Sequence, residues 1–314
     1  MSKNKLFCFG YGYSCDHLGH LLNESEPESW SISGTTRTRE KREALKARDI
    51  KAYIYDEKNP LADPAYILEN TTHLLISTPP NDEGDPAFNS YAQDIANMKS
   101  LKWIGYLSTT GVYGNRNGEW VDEDSELRPS SQRGSRRVKA EKQWLSLFQQ
   151  YDLPVHIFRL AGIYGPGRSA LDTVRVGTAK RINKPGHTFS RIHVEDIANI
   201  LKASMENPNP GRIYNVCDDL PVPSHNIISY ACKLLDKPEP PLVDFELAQS
   251  EMSPMSRSFY SDNKRVHNNR IKEELNIQLK YPSYKEGLDG CLAAEDHAIK
   301  LFNITKPQFP FSTN

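Results

Sequence analysis

The residues whose spacing carries the most chemistry stand near the start of the chain. Gly10-Tyr11-Gly12-Tyr13-Ser14-Cys15 follows a short apolar run and precedes a stretch that places Leu18, Leu21 and Leu22 on one helical face. A glycine at position 10 allows a tight strand-to-helix turn, and a glycine at position 12 lets backbone come close to a pyrophosphate. The helix that follows offers free N–H groups and the positive end of its dipole. Gly10, Gly12, Tyr13 and Ser14 are therefore candidate dinucleotide ligands, with the small Cys15 at the position where helix and strand touch. About twenty residues on, where an NAD-binding chain carries Asp or Glu for the ribose hydroxyls, this chain reads Gly34-Thr35-Thr36-Arg37-Thr38-Arg39. Hydroxyls and guanidinium groups suit a 2′-phosphate, so Thr36 and Arg37 point to NADP(H), with NAD(H) as the alternative. Arg168, Arg191 and Arg257 are candidate anchors for a phosphate or carboxylate on a substrate.

These residues need a scaffold, and the order of apolar segments supplies one. Short apolar runs at 5–9, 30–34, 50–55, 73–77, 103–108 and 154–159 alternate with helical stretches at 16–23, 39–48, 64–70, 86–99 and 135–150. That rhythm predicts an α/β fold, a doubly wound parallel sheet of Rossmann type. After residue 160 the rhythm changes. Helices are expected at 173–181, 195–207, 224–236, 263–275 and 284–302, with short strands at 188–193 and 212–216. The reading is a dinucleotide-binding domain over residues 1–165. A sheet extension and small C-terminal substrate lobe occupies 166–314, interleaved with it.

Composition narrows the function classes. The chain has 314 residues, 38% hydrophobic and 25% charged, with a net charge of -1, which suits a globular protein. No overall basic field exists to hold it on nucleic acid or an anionic membrane, so the Arg133, Arg136, Arg137 and Lys139 cluster stands against a neutral background. The five cysteines are widely spaced without a C-x-x-C pair, which suits a reducing compartment. No apolar stretch reaches the length of a membrane span or a signal-peptide core, so the expected location is the cytoplasm. The histidines show no paired spacing, and no metal site is expected.

Several ordered segments together resemble the extended and atypical short-chain dehydrogenase/reductase superfamily, and especially its NAD-dependent epimerase/dehydratase-like members. They are Ser77-Thr78-Pro79-Pro80, the segment 107–114, the segment 120–123, the glycine-rich turn 159–168, Arg191-Ile-His-Val-Glu-Asp196 and Tyr214-Asn-Val216. The resemblance implies that Ser77, Thr78 and Pro79 touch the cofactor and that Gly162 lies beside nicotinamide and substrate. Thr109 falls at the catalytic Ser/Thr position, with Thr110 next to it. The family's proton carrier is a Tyr-x-x-x-Lys pair on the helix after the fifth strand, in which the lysine lowers the phenol's proton affinity. Here Arg133 and Arg137 stand at those two positions. Arginine cannot shuttle a proton at neutral pH, though Arg137 can still hold the nicotinamide ribose. Tyr113 is the stand-in acid. The strings Tyr260 to Lys264 and Tyr281 to Lys285 repeat the spacing in the tail, away from that helix, and are read as coincidence. His193 and Asp196 are read as structural.

The expected function is that of an NADP(H)-dependent oxidoreductase or epimerase-like enzyme on a hydroxyl or carbonyl substrate such as a sugar nucleotide. The alternative is a non-catalytic NADP(H)-binding sensor or regulator. The expected partner is a small molecule rather than nucleic acid or membrane. The resemblance also allows a homodimer through the helices at 86–99 and 135–150.

Overall fold

The computed structural model describes residues 3–302. The first half runs β1 (Asn4–Phe9), α1 (Tyr13–Ser25), β2 (Trp30–Thr36), α2 (Arg39–Lys46), β3 (Lys51–Ile54), α3 (Pro64–Ile67), β4 (His73–Ile76), α4 (Pro86–Ala96) and β5 (Trp103–Thr109). A 3-10 turn over Thr110–Tyr113 leads to β6 (Trp120–Val121), α5 (Gln132–Tyr151), β7 (Val155–Leu160) and β8 (Gly162–Tyr164). The remainder comprises α6 (Ala170–Arg175), β9 (Arg181–Asn183), β10 (Arg191–His193), α7 (Val194–Glu206), β11 (Ile213–Val216) and α8 (Ser224–Leu234). It closes with β12 (Leu242–Asp244), α9 (Phe245–Ala248), α10 (Pro254–Phe259), β13 (Arg265–Val266), α11 (Asn269–Glu274) and α12 (Tyr284–Phe302).

Seven strands form one sheet in the order β11-β7-β5-β4-β1-β2-β3, and every neighbouring pair is parallel. The order reverses at β1, which pairs β2 on one side and β4 on the other. Ligands of such sheets bind at that reversal, outside the carboxyl ends of the strands. This is the Rossmann arrangement expected from the alternation of strands and helices.

The sheet is buried on both faces, which is why its strands read as unbroken apolar runs. Side chains alternate between two cores, as the twofold strand period requires. Leu6, Cys8, Leu75 and Leu107 face α1 and α7, packing with Leu18, Leu22, Ile197 and Leu201. Phe7, Phe9, Leu74, Ile76 and Tyr106 face α4 and α5, packing with Tyr91, Ile95, Trp144 and Leu147. Each such side chain stabilises the fold by about 1.5–3 kcal/mol. A third, smaller cluster joins α6, α8 and α12 through Leu171, Val174, Ile227, Ala231, Leu288 and Cys291, apart from the two cores of the sheet.

Local departures from expectation lie in this second half. The helix expected over 173–181 ends at Arg175, because Gly177 takes φ 73° and breaks it. Arg181–Asn183 is instead a strand paired with β12. The strand expected at 188–193 is regular only from Arg191. Within 263–275, Arg265 and Val266 pair in parallel with β6, and the helix begins at Asn269. Non-local pairing overrides local propensity at each of these strands.

Candidate active site

The Gly10 turn is fixed from two sides. Gly10 has φ 83°, and a Cβ there would lie 3.2 Å from the Thr78 nitrogen, so the glycine is required by both conformation and space. The Gly10 N–H donates to Thr35 Oγ1 at 2.8 Å and the Tyr11 N–H to the Thr35 carbonyl at 2.7 Å. Thr35 is a tie between the turn and β2 that motif reading passes over. Gly12 is different. As N-cap of α1 it has φ -107° and ψ -162°, a conformation open to any residue. The nearest atom to an added Cβ is the Gly10 carbonyl oxygen at 3.8 Å. Nothing in the protein requires glycine there, whereas a pyrophosphate seated on the α1 N-terminus would. The residues present therefore fit a dinucleotide.

A cavity of about 1020 Å³ opens beside the carboxyl ends of the central strands, and it gathers many of the expected residues. Ser14 from α1, Ser77 and Pro79 after β4, Thr109 and Thr110 after β5, and Arg137 on α5 all line it. So do Gly162, Arg168 and Arg191 from the second half of the chain. Thr109 Oγ1 accepts from the Gly111 N–H at 3.1 Å, which leaves the hydroxyl hydrogen free to donate. The Thr78 hydroxyl is turned away, donating to Asp85 Oδ2 at 3.2 Å. Asp85 is fully buried at the N-cap of α4, and burial pushes its carboxyl up to about 6. Tyr13 joins the turn to the second half, its hydroxyl donating to the Pro166 carbonyl at 2.9 Å while Arg168 lies over its ring. Thr36 is buried at the end of β2, and Arg37 next to it is exposed.

Gly10, Gly12, Tyr13, Thr36, Arg37 and Thr78 stand around the cavity without lining it, and Tyr113 and Arg257 are also not brought to it. Tyr113 is fully buried; its hydroxyl donates to Asn215 Oδ1 at 2.7 Å and accepts from Arg159 Nη1 at 2.9 Å. Burial holds its phenol up at about 12. The placement of Tyr113 does not support the part of stand-in acid, because the 3-10 turn after β5 points its ring into the core. Arg257 is exposed on α10, with its guanidinium on the Met252 carbonyl, while its neighbours Ser256 and Ser258 face the cavity. His193 caps α7 by accepting from the Glu195 N–H, and Asp196 accepts from the Lys280 and Tyr281 N–H groups, so both hold structure. Among the described residues, no cluster of three His, Cys, Asp or Glu could hold a metal ion. No helix among them is long and apolar enough to cross a membrane.

Below the cavity, Arg159 and Glu141 form an ion pair with both side chains 3% exposed and Nη2 to Oε2 at 2.8 Å. The Ser108 hydroxyl donates to the same carboxylate. This network joins β5, α5 and β7 through Ser108, the residue that precedes Thr109.

The tail supplies residues that the sequence reading set aside. Tyr260 and Lys264 both line the cavity. The Tyr260 hydroxyl lies 2.7 Å from Ser224 Oγ. The Lys264 ammonium donates to the Gly114 carbonyl at 3.0 Å and to Asp262 Oδ2 at 3.2 Å, and burial holds its pKa down. The Tyr-x-x-x-Lys spacing at 260–264 was the one available signal. Arg133 also lines the wall, its guanidinium 5.0 Å from the Phe259 ring centroid.

Comparison with known proteins places this geometry in context. Residues 94–217 match the family model described as the NAD dependent epimerase/dehydratase family. The solved structure of a functionally unknown conserved protein from Silicibacter pomeroyi is 47% identical, covering 93% of this chain and 99% of that one, with a TM-score of 0.84. Protein YeeZ of Escherichia coli K12 is 27% identical over 265 residues, 81% of this chain and 88% of its own. The fold is shared with dTDP-glucose 4,6-dehydratase from Bacillus anthracis, solved with NAD, at 15% identity and a TM-score of 0.73 over 96% of this chain and 99% of that one.

Proposed function

We propose, for a chain whose residues 94–217 match the NAD dependent epimerase/dehydratase family, an NADP(H)-dependent oxidoreductase or epimerase-like reaction on a hydroxyl or carbonyl substrate. The observation that carries this reading is one continuous cavity. It runs from Ser14 on the phosphate-binding turn, past Ser77 and Pro79, to Thr109 and Thr110. The cofactor supplies hydride exchange. Gly10, Gly12, Tyr13 and Ser14 hold its pyrophosphate, and Arg137 and Gly162 flank its nicotinamide end. The preference for NADP(H) rests on the end of β2, where Thr36 and Arg37 stand and no carboxylate is present. Arg37 has no ion pair among the described residues and is free to take a 2′-phosphate.

Thr109, with its hydroxyl hydrogen free, donates to the reacting oxygen, and Thr110 lies beside it. Tyr260 is the tyrosine of the cavity wall and takes the proton-exchange part that the resemblance gives to a helical tyrosine. Arg168 and Arg191 anchor the substrate's phosphate. A sugar nucleotide is the substrate class, in line with the names of the structural neighbours. The non-catalytic alternative, an NADP(H) sensor, draws on Arg133 and Arg137, neither of which can carry a proton. The test is loss of NADPH absorbance on mixing the protein with sugar nucleotides that bear a carbonyl. Turnover abolished by Thr109→Ala supports the enzyme. Tight NADPH binding without turnover across the panel supports the sensor.

A further inference from the structure

The cavity is lined by six cations and two carboxylates. Lys180 pairs with Glu251 at 3.3 Å and Lys264 with Asp262 at 3.2 Å. That leaves Arg133, Arg137, Arg168 and Arg191, none of which has a carboxylate within the 4.0 Å of an ion pair among the described residues. Each is cushioned on an aromatic ring instead. The guanidinium carbons lie 5.0 Å from the Phe259 centroid, 5.7 Å from Tyr106, 5.7 Å from Tyr13 and 5.4 Å from Phe189, in the same order. An aromatic face orients a guanidinium without neutralising it, so the four charges remain available to a ligand.

Arg133 and Arg137 stand one turn apart on α5, the spacing at which side chains of a helix are neighbours. Burial and the charge of Arg137 both weaken the hold of Arg133 on its proton. Asp262 lies on the Arg133 side and Asp85 on the Arg137 side, each acting only at a distance. Arg137 is further anchored by donating to the Leu107 carbonyl at the end of β5. Taken as whole residues, Arg133 is exposed and Arg137 half-buried, and two like charges one turn apart that face the same cavity repel, a repulsion that an anion held between them relieves.

We propose that Arg133 and Arg137 form an oxyanion site that binds a carboxylate or phosphate group of the substrate close to the reacting carbon. This rests on the reading of the cavity as a cofactor and substrate cleft. The pair occupies the place where the resemblance puts a proton relay, and it turns that place into a recognition element. Two planar forks suit the oxygens of one acid group. The substrate therefore carries an acid near its reactive centre, besides any phosphate held by Arg168 and Arg191.

The test is calorimetric titration of inorganic phosphate, and separately of malonate, into the NADPH-loaded protein and into the free protein. One saturable site per chain is expected for at least one of the two anions. Arg133→Gln and Arg137→Gln each weaken it at least about tenfold, as loss of a charged hydrogen-bond donor does, while Arg137→Lys retains part of it. Arg136→Gln is the control. That side chain pairs with Asp82 at 2.7 Å outside the cavity, and its loss leaves anion binding unchanged. Melting curves of each variant check that it is folded. Absence of a saturable site, or wild-type affinity in both Gln variants, overturns the proposal. Competition between anion and NADPH, with NADPH affinity lost in both Gln variants, also overturns it, by giving the pair to the cofactor while the cofactor reading stands. Failure of NADPH to bind at all removes the cofactor reading, and the titration of the free protein still decides the oxyanion site.

Discussion

The Lys264 ammonium donates to the Gly114 carbonyl at 3.0 Å, joining residues 150 positions apart. With Asp262 beside it, the bond fastens the tail segment over the turn that follows β5. The segment brings Tyr260 into the cavity wall, and the Tyr260 ring is gripped by His187, Phe189 and Phe245 at centroid distances of 5.1–5.5 Å. The tail segment thus completes a cavity whose other wall is built from residues after β4 and β5 and on α5.

Tyr260→Phe tests the part given to this phenol. It keeps the ring packing and removes only the hydroxyl that meets Ser224. With a turned-over substrate in hand, kcat is expected to fall about 10²–10⁴-fold, the usual worth of a positioned acid or base. NADPH affinity stays as it was. Steady-state kinetics over a range of pH check this, and an unchanged kcat and pH profile would remove Tyr260 from the chemistry.

Gly12→Ala separates ligand contact from folding. The added Cβ meets no protein atom closer than 3.8 Å, so the melting temperature of the free protein is expected to fall only by the modest cost of alanine at an N-cap. NADPH affinity is expected to fall at least about tenfold, because the methyl group occupies the approach of the pyrophosphate. Melting and titration of the same preparation read the two effects independently.

Much of this was legible in advance, and the reasons are physical. Strands buried on both faces leave apolar runs, so β1, β4, β5 and β7 stand out along the chain. The Gly10 to Ser14 turn is a local device with a local signature. Side-chain direction is not local in the same way. Tyr113 sits four residues past Thr109, yet the 3-10 turn aims it into the core. Arg257 lies between two residues that line the cavity and misses it by one step of a helix. The Tyr260 to Lys264 spacing was visible but carried no hint of the contact to Gly114, which depends on the whole sheet being in place.

Glu141→Gln probes the buried pair that Ser108 joins. Removing one partner leaves the Arg159 guanidinium desolvated and short of its bidentate acceptor. A loss of about 3–5 kcal/mol in unfolding free energy is expected. Urea denaturation measures it, and a loss below about 1 kcal/mol would show that water reaches the pair.

Asp218 gives the stability a pH dependence. Its carboxyl is 2% exposed, Oδ2 has no hydrogen-bond partner, and burial pushes its pKa up to about 8. An unfolded aspartate titrates near about 3.9. Between those values the folded chain keeps a proton that the unfolded chain has released, so stability falls as the pH rises through the window. Asp218→Asn removes this contribution. Urea midpoints at about pH 5 and pH 8 are expected to differ less in the variant than in the parent protein, and an equal difference would contradict the assignment.

The central claim is that this cleft binds NADP(H) through the α1 turn and the end of β2. It is tested most directly by calorimetric titration with NADPH, NADP⁺, NADH and NAD⁺, in the parent protein and in Arg37→Ala. The account expects the 2′-phosphorylated pair to bind more tightly, and Arg37→Ala to weaken that pair by about tenfold or more without affecting NADH. Preference for NAD(H) would contradict the role of Arg37 and keep the cleft, whereas no binding of any of the four would contradict the claim itself.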